Sequence, residues 1–201
     1  EPVLALSPTA VLVTTIIGAI TALGGALIAA AQIDLKRCLS YLSSVYMGLG
    51  FIAIGAQQPE TALLMVLTYA LAMAVLVMGA GSIIINVITQ DVTQMGGLWG
   101  RRPVTGMAML TGALALVGLP PLGGFWSMLK LMTGLWLDHQ LALVVIVLAV
   151  NWTVAFGIAR VFGLIFAGEP RQMTIRAPEP IWLMEMPMAI TAGVPLPLPL
   201  N

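Results

Sequence analysis

The stretch LALVVIVLAVNWTVAFGIARVFGLIF, residues 141–166, contains a single charged residue, Arg160. A membrane-spanning helix needs about 20 apolar residues to cross roughly 30 Å of hydrocarbon, so this stretch is long enough to span a bilayer once. The whole chain has the same character, since 60% of its 201 residues are hydrophobic and 8% are charged. Soluble domains usually carry about a quarter of charged residues. The composition therefore predicts an all-α membrane protein.

Further apolar runs precede this stretch. Three have the length and composition of a spanning helix, and they cover residues 11–31, 38–56 and 63–88. A polar connector, residues 89–102, follows the third run. The sequence predicts a polytopic bundle over residues 1–171 with five or six crossings, followed by a polar connector and a partly apolar, proline-containing tail over residues 172–201.

One helix of the bundle is predicted to be interrupted. The apolar run 104–119 leads into Pro120 and Pro121 and then a glycine pair, before a helical pattern resumes over residues 125–137. Proline cannot continue a helix, because it lacks the backbone donor and clashes with the preceding turn. A break in a membrane helix is tolerated only where it is buried in protein or lines a hydrated cavity.

Charge and cysteine content exclude several classes of function. Eight Lys or Arg residues balance eight Asp or Glu residues, which leaves no net charge to hold nucleic acid. Cys38 and His139 are the single residues of their types, and together they cannot form a conventional zinc site. The sequence also lacks a phosphate-binding loop, a nucleophile elbow and paired carboxylates at helical spacing. We expect no catalytic residue, metal or cofactor in this chain.

Basic residues predict the orientation. Lys36 with Arg37 and Arg101 with Arg102 fall on the same side of the predicted bundle, which the positive-inside rule assigns to the cytoplasm. Arg101 and Arg102 are interpreted as topology determinants, and Arg160 as an anchor at the membrane interface.

Lys130 is the sharpest candidate for proton handling. It lies in an apolar helix just after the proline–glycine break. Burial disfavours the charged form of an ammonium group, so a lysine inside the bundle could exchange a proton. The alternative is an interfacial lysine that extends to the headgroups or stacks on Trp126.

The remaining charged candidates lie in turns. Asp34 and Arg37 are three residues apart and could pair on a helix, leaving Lys36 free, although an ordinary charged turn explains the same residues. His139 beside Asp138 could titrate near neutrality or simply be solvated. The small residues Gly18, Ala22 and Ala26 indicate a helix-packing surface.

Several motifs carry a family resemblance. The run AQIDLKRCLSY, residues 31–41, resembles the Q-x-D-(I/L)-K-R-x-(L/I)-(A/S)-Y signature of antiporter-like membrane subunits in respiratory complex I. Further matches follow in the family's order: GAGSII at 79–84, MGGLW at 95–99, LPPLGGFWS at 119–127 and ARVF at 159–162. The chain looks like the second half of such a subunit. Residues 91–103 and 125–126 look most like the NdhF-type chain, subunit 5, in the cyanobacterial variant associated with carbon dioxide uptake.

The resemblance implies inverted helical repeats with interrupted helices and a hydrated polar axis at the membrane midplane. It places Lys36 at the family's signature lysine, a link in the proton path, with Lys130 as a terminal donor or acceptor. Asp34, Arg37, Asp138 and His139 are the supporting candidates.

Three positions depart from the family pattern. The family's H-A-x-x-K motif reads Tyr69 and Met73 at its two titratable positions, and Met128 stands where a lysine or glutamate is usual. Lys130 comes two residues later, a rotation of about 200° on a helix. We therefore expect Lys130 and Met128 to point in different directions.

The function implied by the resemblance is that of a proton-translocating membrane subunit in a quinone-reducing NAD(P)H or ferredoxin dehydrogenase (NDH) complex of the cyanobacterial thylakoid membrane. Quinone and iron–sulfur centres are expected in partner subunits. Expected partners are the other membrane subunits and, in the carbon dioxide uptake form, a soluble accessory protein. Two alternatives stay open: a stand-alone cation/proton antiporter, and a non-pumping scaffold in which Met73 and Met128 mark a silenced channel.

Overall fold

The computed structural model describes residues 7–169, which form six α-helices whose connections are short except for residues 88–102. The helices are α1 (Pro8–Ala31), α2 (Leu35–Gly55), α3 (Pro59–Val87), α4 (Pro103–Val117), α5 (Gly123–Leu137) and α6 (Leu141–Phe166). Short 3-10 turns occupy Val92–Gln94 and Leu98–Gly100. The described residues contain no strand, only an isolated bridge between Asp34 and Asp91. The predicted all-α class is confirmed, while the predicted tail, residues 172–201, lies outside the described residues.

Four helices, α1, α2, α3 and α6, are long and apolar enough to cross a membrane. Helices α4 and α5 have 15 residues each. Each is about 22 Å long at 1.5 Å per residue, shorter than the hydrocarbon core. They follow one another across the break and together make one pass along the bundle. The predicted polytopic bundle with an interrupted helix is confirmed, and the number of membrane crossings stays a prediction.

Capping residues set helix boundaries that differ from the predicted ones. Helix α2 begins at Leu35 because the Oδ1 atom of Asp34 accepts a hydrogen bond of 3.1 Å from the backbone N–H of Arg37. Lys36 and Arg37 therefore lie in the first turn of a helix. Helix α4 ends at Val117, because Gly118 adopts a left-handed φ of 77° and its N–H caps the helix before the prolines are reached.

Several elements meet at one end of the bundle, here called the connector end. The N–H of Leu35 donates to the carbonyl of Gln90 over 3.0 Å, joining the start of α2 to the connector after α3. Arg160, near the end of α6, donates to the carbonyls of Ala30 and Gln32 over 2.9 and 3.1 Å. The two basic pairs consequently lie at the same end, while residues 56–58 and 138–140 lie at the opposite end.

Small residues hold α1 against α2. A Cβ added at Gly18 would come 2.7 Å from the carbonyl oxygen of Gly48, and one added at Gly48 would come 2.7 Å from the backbone nitrogen of Ala22. Ala22 and Ala26 are buried on the same face. The predicted packing surface is thus confirmed, and α2 becomes the most buried of the four long helices.

Candidate functional site

Five hydroxyl side chains from three helices meet beside the interrupted helix. We call them the hydroxyl cluster: Ser43 and Tyr46 of α2, Thr68 and Tyr69 of α3, and Ser127 of α5. The hydroxyl of Tyr69 donates to Ser43 Oγ over 2.6 Å, and the hydroxyl oxygens of Thr68 and Ser127 lie 3.3 Å apart. The rings of Tyr46 and Tyr69 stack with centroids 5.2 Å apart. The cluster therefore ties α2, α3 and α5 together.

The interruption explains why polar groups gather here. The last carbonyls of a helix have no partner within it, and in a membrane they need one from elsewhere in the protein. The N–H of Gly118 satisfies two carbonyls near the end of α4, and the hydroxyl of Tyr46 donates to the carbonyl of Leu116. Gly124 lets α5 approach this end of α4, because an added Cβ would overlap the carbonyl of Ala115.

The donated hydrogen bonds do not form a continuous chain. Tyr69 donates to Ser43, and each of the other cluster hydroxyls lies within hydrogen-bond distance of a backbone carbonyl: Ser43 of Leu39, Tyr46 of Leu116, Thr68 of Leu64 and Ser127 of Gly124. Thr68 or Ser127 can alternatively donate to the other. A proton relay needs each group to accept from one neighbour and donate to the next. In this arrangement the donations end on carbonyls, so passage of a proton requires the hydroxyls to rotate toward an additional partner.

A small cavity lies at the centre of the cluster. Its volume is about 10 Å³, and its wall includes Tyr46, Thr68, Tyr69 and Ser127. A site for one water molecule needs at least about 10–15 Å³ of such volume and two to four polar partners. The cavity is thus at the lower limit for a single water, and its wall supplies the hydroxyl partners that a water would need.

The cluster contains no acidic or basic side chain. Met73 and Met128 occupy positions at which the family resemblance implies titratable groups, and they are buried with 8% and 6% exposure. Met128 also lines the small cavity. The cluster can therefore donate and accept hydrogen bonds, but its own side chains do not include a carboxylate or an amine that would store a proton.

The structure brings neither candidate lysine into the cluster. Lys36 is exposed in the first turn of α2, ten residues before Tyr46, or about 15 Å along the helix axis. Lys130 is exposed on α5, whereas its neighbours Met128 and Leu131 are buried. Lys130 thus faces away from Met128, as the predicted rotation requires, and its placement corresponds to the interfacial alternative. The roles of both lysines in proton transfer stay predictions.

The supporting candidates lie at opposite ends of the bundle. At the connector end, Asp34 caps α2, and its Oδ2 atom lies 3.9 Å from Nε of the exposed Arg37. Such exposed pairs contribute at most about 1 kcal/mol. Asp138 and His139 are exposed at the opposite end, where α5 stops and His139 adopts a φ of 56°. The structure does not group these four residues into one site.

Two arginines have structural roles that the sequence did not reveal. Arg102, interpreted as a topology determinant, is fully buried, and its Nη1 atom donates to Ser82 Oγ of α3 over 3.1 Å. Arg102 is therefore not a solvated loop charge, whereas Arg101 is exposed, and the role of both residues in topology stays a prediction. Arg160 binds the last carbonyls of α1, where the negative end of the helix dipole favours a cation.

The hydroxyl cluster itself was also missed. A signal was present in the sequence, because Ser43 and Tyr46 are three residues apart on α2 and Thr68 and Tyr69 adjoin within the apolar α3. Polar side chains at such depth in spanning helices tend to pair between helices.

Comparison with known proteins identifies the family. The model of the family described as "NADH:quinone oxidoreductase/Mrp antiporter, TM" matches residues 2–153. The chain belongs to this family. NAD(P)H-quinone oxidoreductase subunit 5, organellar chromatophore 2, of Paulinella chromatophora is 42% identical over 94% of the chain, and the chloroplastic subunit 5 of Physcomitrium patens is 34% identical over 90%. The resemblance to antiporter-like subunits is confirmed.

A solved structure shows the same fold. The Mrp complex from Dietzia sp. DQ12-45-1b contains a chain that superposes with a TM-score of 0.77 at 20% identity, over 85% of this chain and 33% of that one. The curated relatives are likewise much longer, since this chain spans 30% of the Paulinella protein and 27% of the Physcomitrium protein. The comparisons thus place the chain in its family and fold, and the chain spans about a third of the length of these relatives.

Proposed function

We propose that this chain is part of a proton-translocating membrane subunit in a quinone-reducing complex, with NAD(P)H or ferredoxin as the electron donor in other subunits. Its relatives are named NAD(P)H-quinone oxidoreductase subunit 5 and, in Dugong dugon, NADH-ubiquinone oxidoreductase chain 5. The observation that carries the proposal is the hydroxyl cluster, which places five polar side chains at a helix interruption inside a bundle of apolar helices.

The proposed role of the cluster is conduction rather than storage. Moving one elementary charge against 100 mV requires about 2.3 kcal/mol, in addition to the cost of desolvating the charge. Hydroxyls that rotate toward one transient water would lower the second cost. Because the cluster holds no acid or amine, the proton must be stored elsewhere. Lys36 is the proposed relay at the connector end, and Lys130 would exchange its proton on the outer surface of α5.

Partners and location follow from the same proposal. Other membrane subunits would cover the outer surface near Lys130, and the quinone and iron–sulfur centres would belong to partner subunits. Within residues 7–169, no group of three His, Cys, Asp or Glu side chains is placed to hold a metal ion. The finer assignment, to the carbon dioxide uptake form of the cyanobacterial thylakoid with its soluble accessory protein, rests on residues 91–103 and 125–126 alone.

Two other functions have a supporting observation. The fold shared with the Mrp complex would also suit a cation/proton antiporter. Met73 and Met128 would suit a scaffold that no longer conducts.

The test combines isolation of the full-length protein with one substitution. Gentle detergent extraction and mass spectrometry should recover quinone-reductase subunits in stoichiometric amounts. In membrane vesicles, Tyr69→Phe should lower the number of protons moved per electron, because it removes the hydroxyl that bonds Ser43 and keeps the ring stack. Tyr41→Phe, on α2 but outside the cluster, should leave the ratio unchanged.

Each contrary result selects an alternative. A protein that purifies alone or as a homodimer would overturn the complex assignment in favour of the antiporter. An intact complex whose proton-to-electron ratio is unaffected by Tyr69→Phe would overturn the role of the cluster and favour the scaffold.

A further inference from the structure

Gln58 is placed unusually for a residue that precedes a helix. It occupies the N-cap position of α3, yet its side chain makes no capping hydrogen bond. The side-chain amide instead lies against Gly134 of α5, where an added Cβ would overlap it. The Nε2 atom is buried, and among the described residues it has no hydrogen-bond partner. A buried amide donor is normally paired, with protein or with water.

The contact between Gln58 and Gly134 lies on the interface between α3 and α5, here called the α3–α5 seam. The Thr68–Ser127 contact of the hydroxyl cluster lies on the same interface. Helices α3 and α5 run antiparallel and touch at two polar places, Gln58 on Gly134 near the opposite end and Thr68 on Ser127 at the cluster. Ten residues of α3 separate the two places, which corresponds to about 15 Å.

Apolar side chains occupy the seam between these two places. Met65 is 2% exposed and lines the cluster cavity, and Leu131 is fully buried one helical turn beyond Ser127. Helical spacing puts Met65 on the face of α3 that carries Thr68, and Leu131 on the face of α5 that carries Ser127 and Gly134. Both side chains thus lie on facing sides of α3 and α5, at levels between Gln58 and the Thr68–Ser127 contact.

Toward the connector end, α3 holds the buried hydrogen bond between Ser82 and Arg102, and the space enclosed by α2, α3, α4 and α6 is apolar. There the bundle encloses a cavity of about 30 Å³ whose lining side chains are all apolar, including Leu39, Leu42, Leu76 and Met109. Water entering the bundle centre would therefore find polar partners along α3 and α5 rather than along this cavity.

We propose that Gln58 is a water-binding residue at the mouth of a route along the α3–α5 seam, and that Met65 and Leu131 are the plug between it and the hydroxyl cluster. A glutamine amide both donates and accepts hydrogen bonds, so it can hold water in line without titrating. Gly134 leaves the room that this amide occupies. A hydrophobic constriction blocks water until it widens. The proposal rests on the proposed function, since it gives the cluster its connection to the opposite end.

Cysteine labelling in membranes tests the proposal without turnover. In the full-length protein with Cys38→Ala, Met65→Cys and Met109→Cys would be compared in their reaction with a small water-soluble methanethiosulfonate. The native methionines are buried alike, at 2% and 4% exposure, but Met109 lines the apolar cavity. Met65→Cys should react, because the shorter side chain opens the plug, and Met109→Cys should not. Equal rates at the two positions would overturn the route.

Changes at Gln58 then test the residue itself. Adding Gln58→Leu to Met65→Cys should slow labelling about tenfold, equivalent to about 1.4 kcal/mol. Gln58→Asn, which keeps the amide, should retain most of the rate. Gly134→Ala displaces the amide without changing Gln58 and should also slow labelling. Unchanged rates in both Gln58→Leu and Gly134→Ala would overturn the role of Gln58, whatever the pumping measurement with Tyr69→Phe shows.

Discussion

Helices α2, α3 and α4 line two cavities inside this bundle, and the walls of the two cavities differ in polarity. Near the connector end they join α6 around the apolar cavity of about 30 Å³. Farther along they join α5 around the hydroxyl cluster, whose cavity is about 10 Å³. The larger cavity has no polar wall to hold water, whereas the smaller one is lined by four hydroxyls. Wall chemistry, rather than volume, decides which of the two regions can be wet.

The backbone of α4 explains the difference. In the middle of Pro103–Val117 the helix satisfies its own peptide groups, so apolar side chains of its neighbours, such as Leu42 of α2 and Leu76 of α3, can line the cavity beside it. At its end the carbonyls need donors, and Tyr46 is one of them. The polar region is therefore located where the helix stops, and α2 changes from Leu42 to Ser43 at the corresponding level.

The largest effect should come from closing the space at the interruption. In Gly124→Ala, the new methyl group would overlap the carbonyl of Ala115, so α5 must move away from α4. Overpacking of this kind typically costs about 1–3 kcal/mol. We expect a lower unfolding temperature in detergent and fewer protons moved per electron, since Ser127 shifts away from Thr68.

The matched control is Gly163→Ala on α6. A Cβ at Gly163 meets no atom within 4 Å, so this change should be neutral or stabilise the helix by up to about 1 kcal/mol. Equal unfolding temperatures for the two variants would show that the interruption does not depend on close approach of α5.

A smaller effect should come from removing one donor at the cluster. Tyr46→Phe keeps the ring stack with Tyr69 but leaves the carbonyl of Leu116 without the hydroxyl that bonds it. A buried acceptor left unpaired costs about 1–3 kcal/mol, toward the lower end where a water can replace the donor. Thermal unfolding in detergent would measure the loss against Tyr41→Phe. Stability equal to that of Tyr41→Phe would mean that water already satisfies this carbonyl.

Local sequence was sufficient to predict the fold. The apolar runs marked the spanning helices, and Pro120 and Pro121 with their glycines marked the interruption, because each signal acts within a few residues. Helix boundaries were less accurate, since Asp34 as an N-cap and Gly118 as a left-handed C-cap override hydrophobic length.

The hydroxyl cluster could not be predicted from local sequence, because it forms through contacts between residues far apart in the chain. The hydrogen bond from Tyr69 to Ser43 joins residues 26 apart, and that from Tyr46 to Leu116 joins residues 70 apart. The charge pattern of the sequence pointed to Lys36 and Lys130, and both side chains are exposed in the structure. The burial of Arg102 could not be predicted from the sequence for the same reason, because its partner Ser82 lies on another helix.

The smallest effect is expected at the native thiol of the apolar region. Cys38 is 3% exposed, lines the apolar cavity and donates to the carbonyl of Ala29 over 3.5 Å. The thiolate is the reactive form of cysteine, and burial in an apolar wall disfavours that anion. In intact membranes a water-soluble maleimide should therefore leave Cys38 unmodified, while unfolding should expose Cys38 to the label, measured by mass spectrometry of the peptide that contains it. Modification before unfolding would mean that water reaches the apolar region from the connector end. The apolar cavity and the cavity of the hydroxyl cluster would then both be accessible to water. Lys36 would in that case have an aqueous path to the hydroxyl cluster through the connector end.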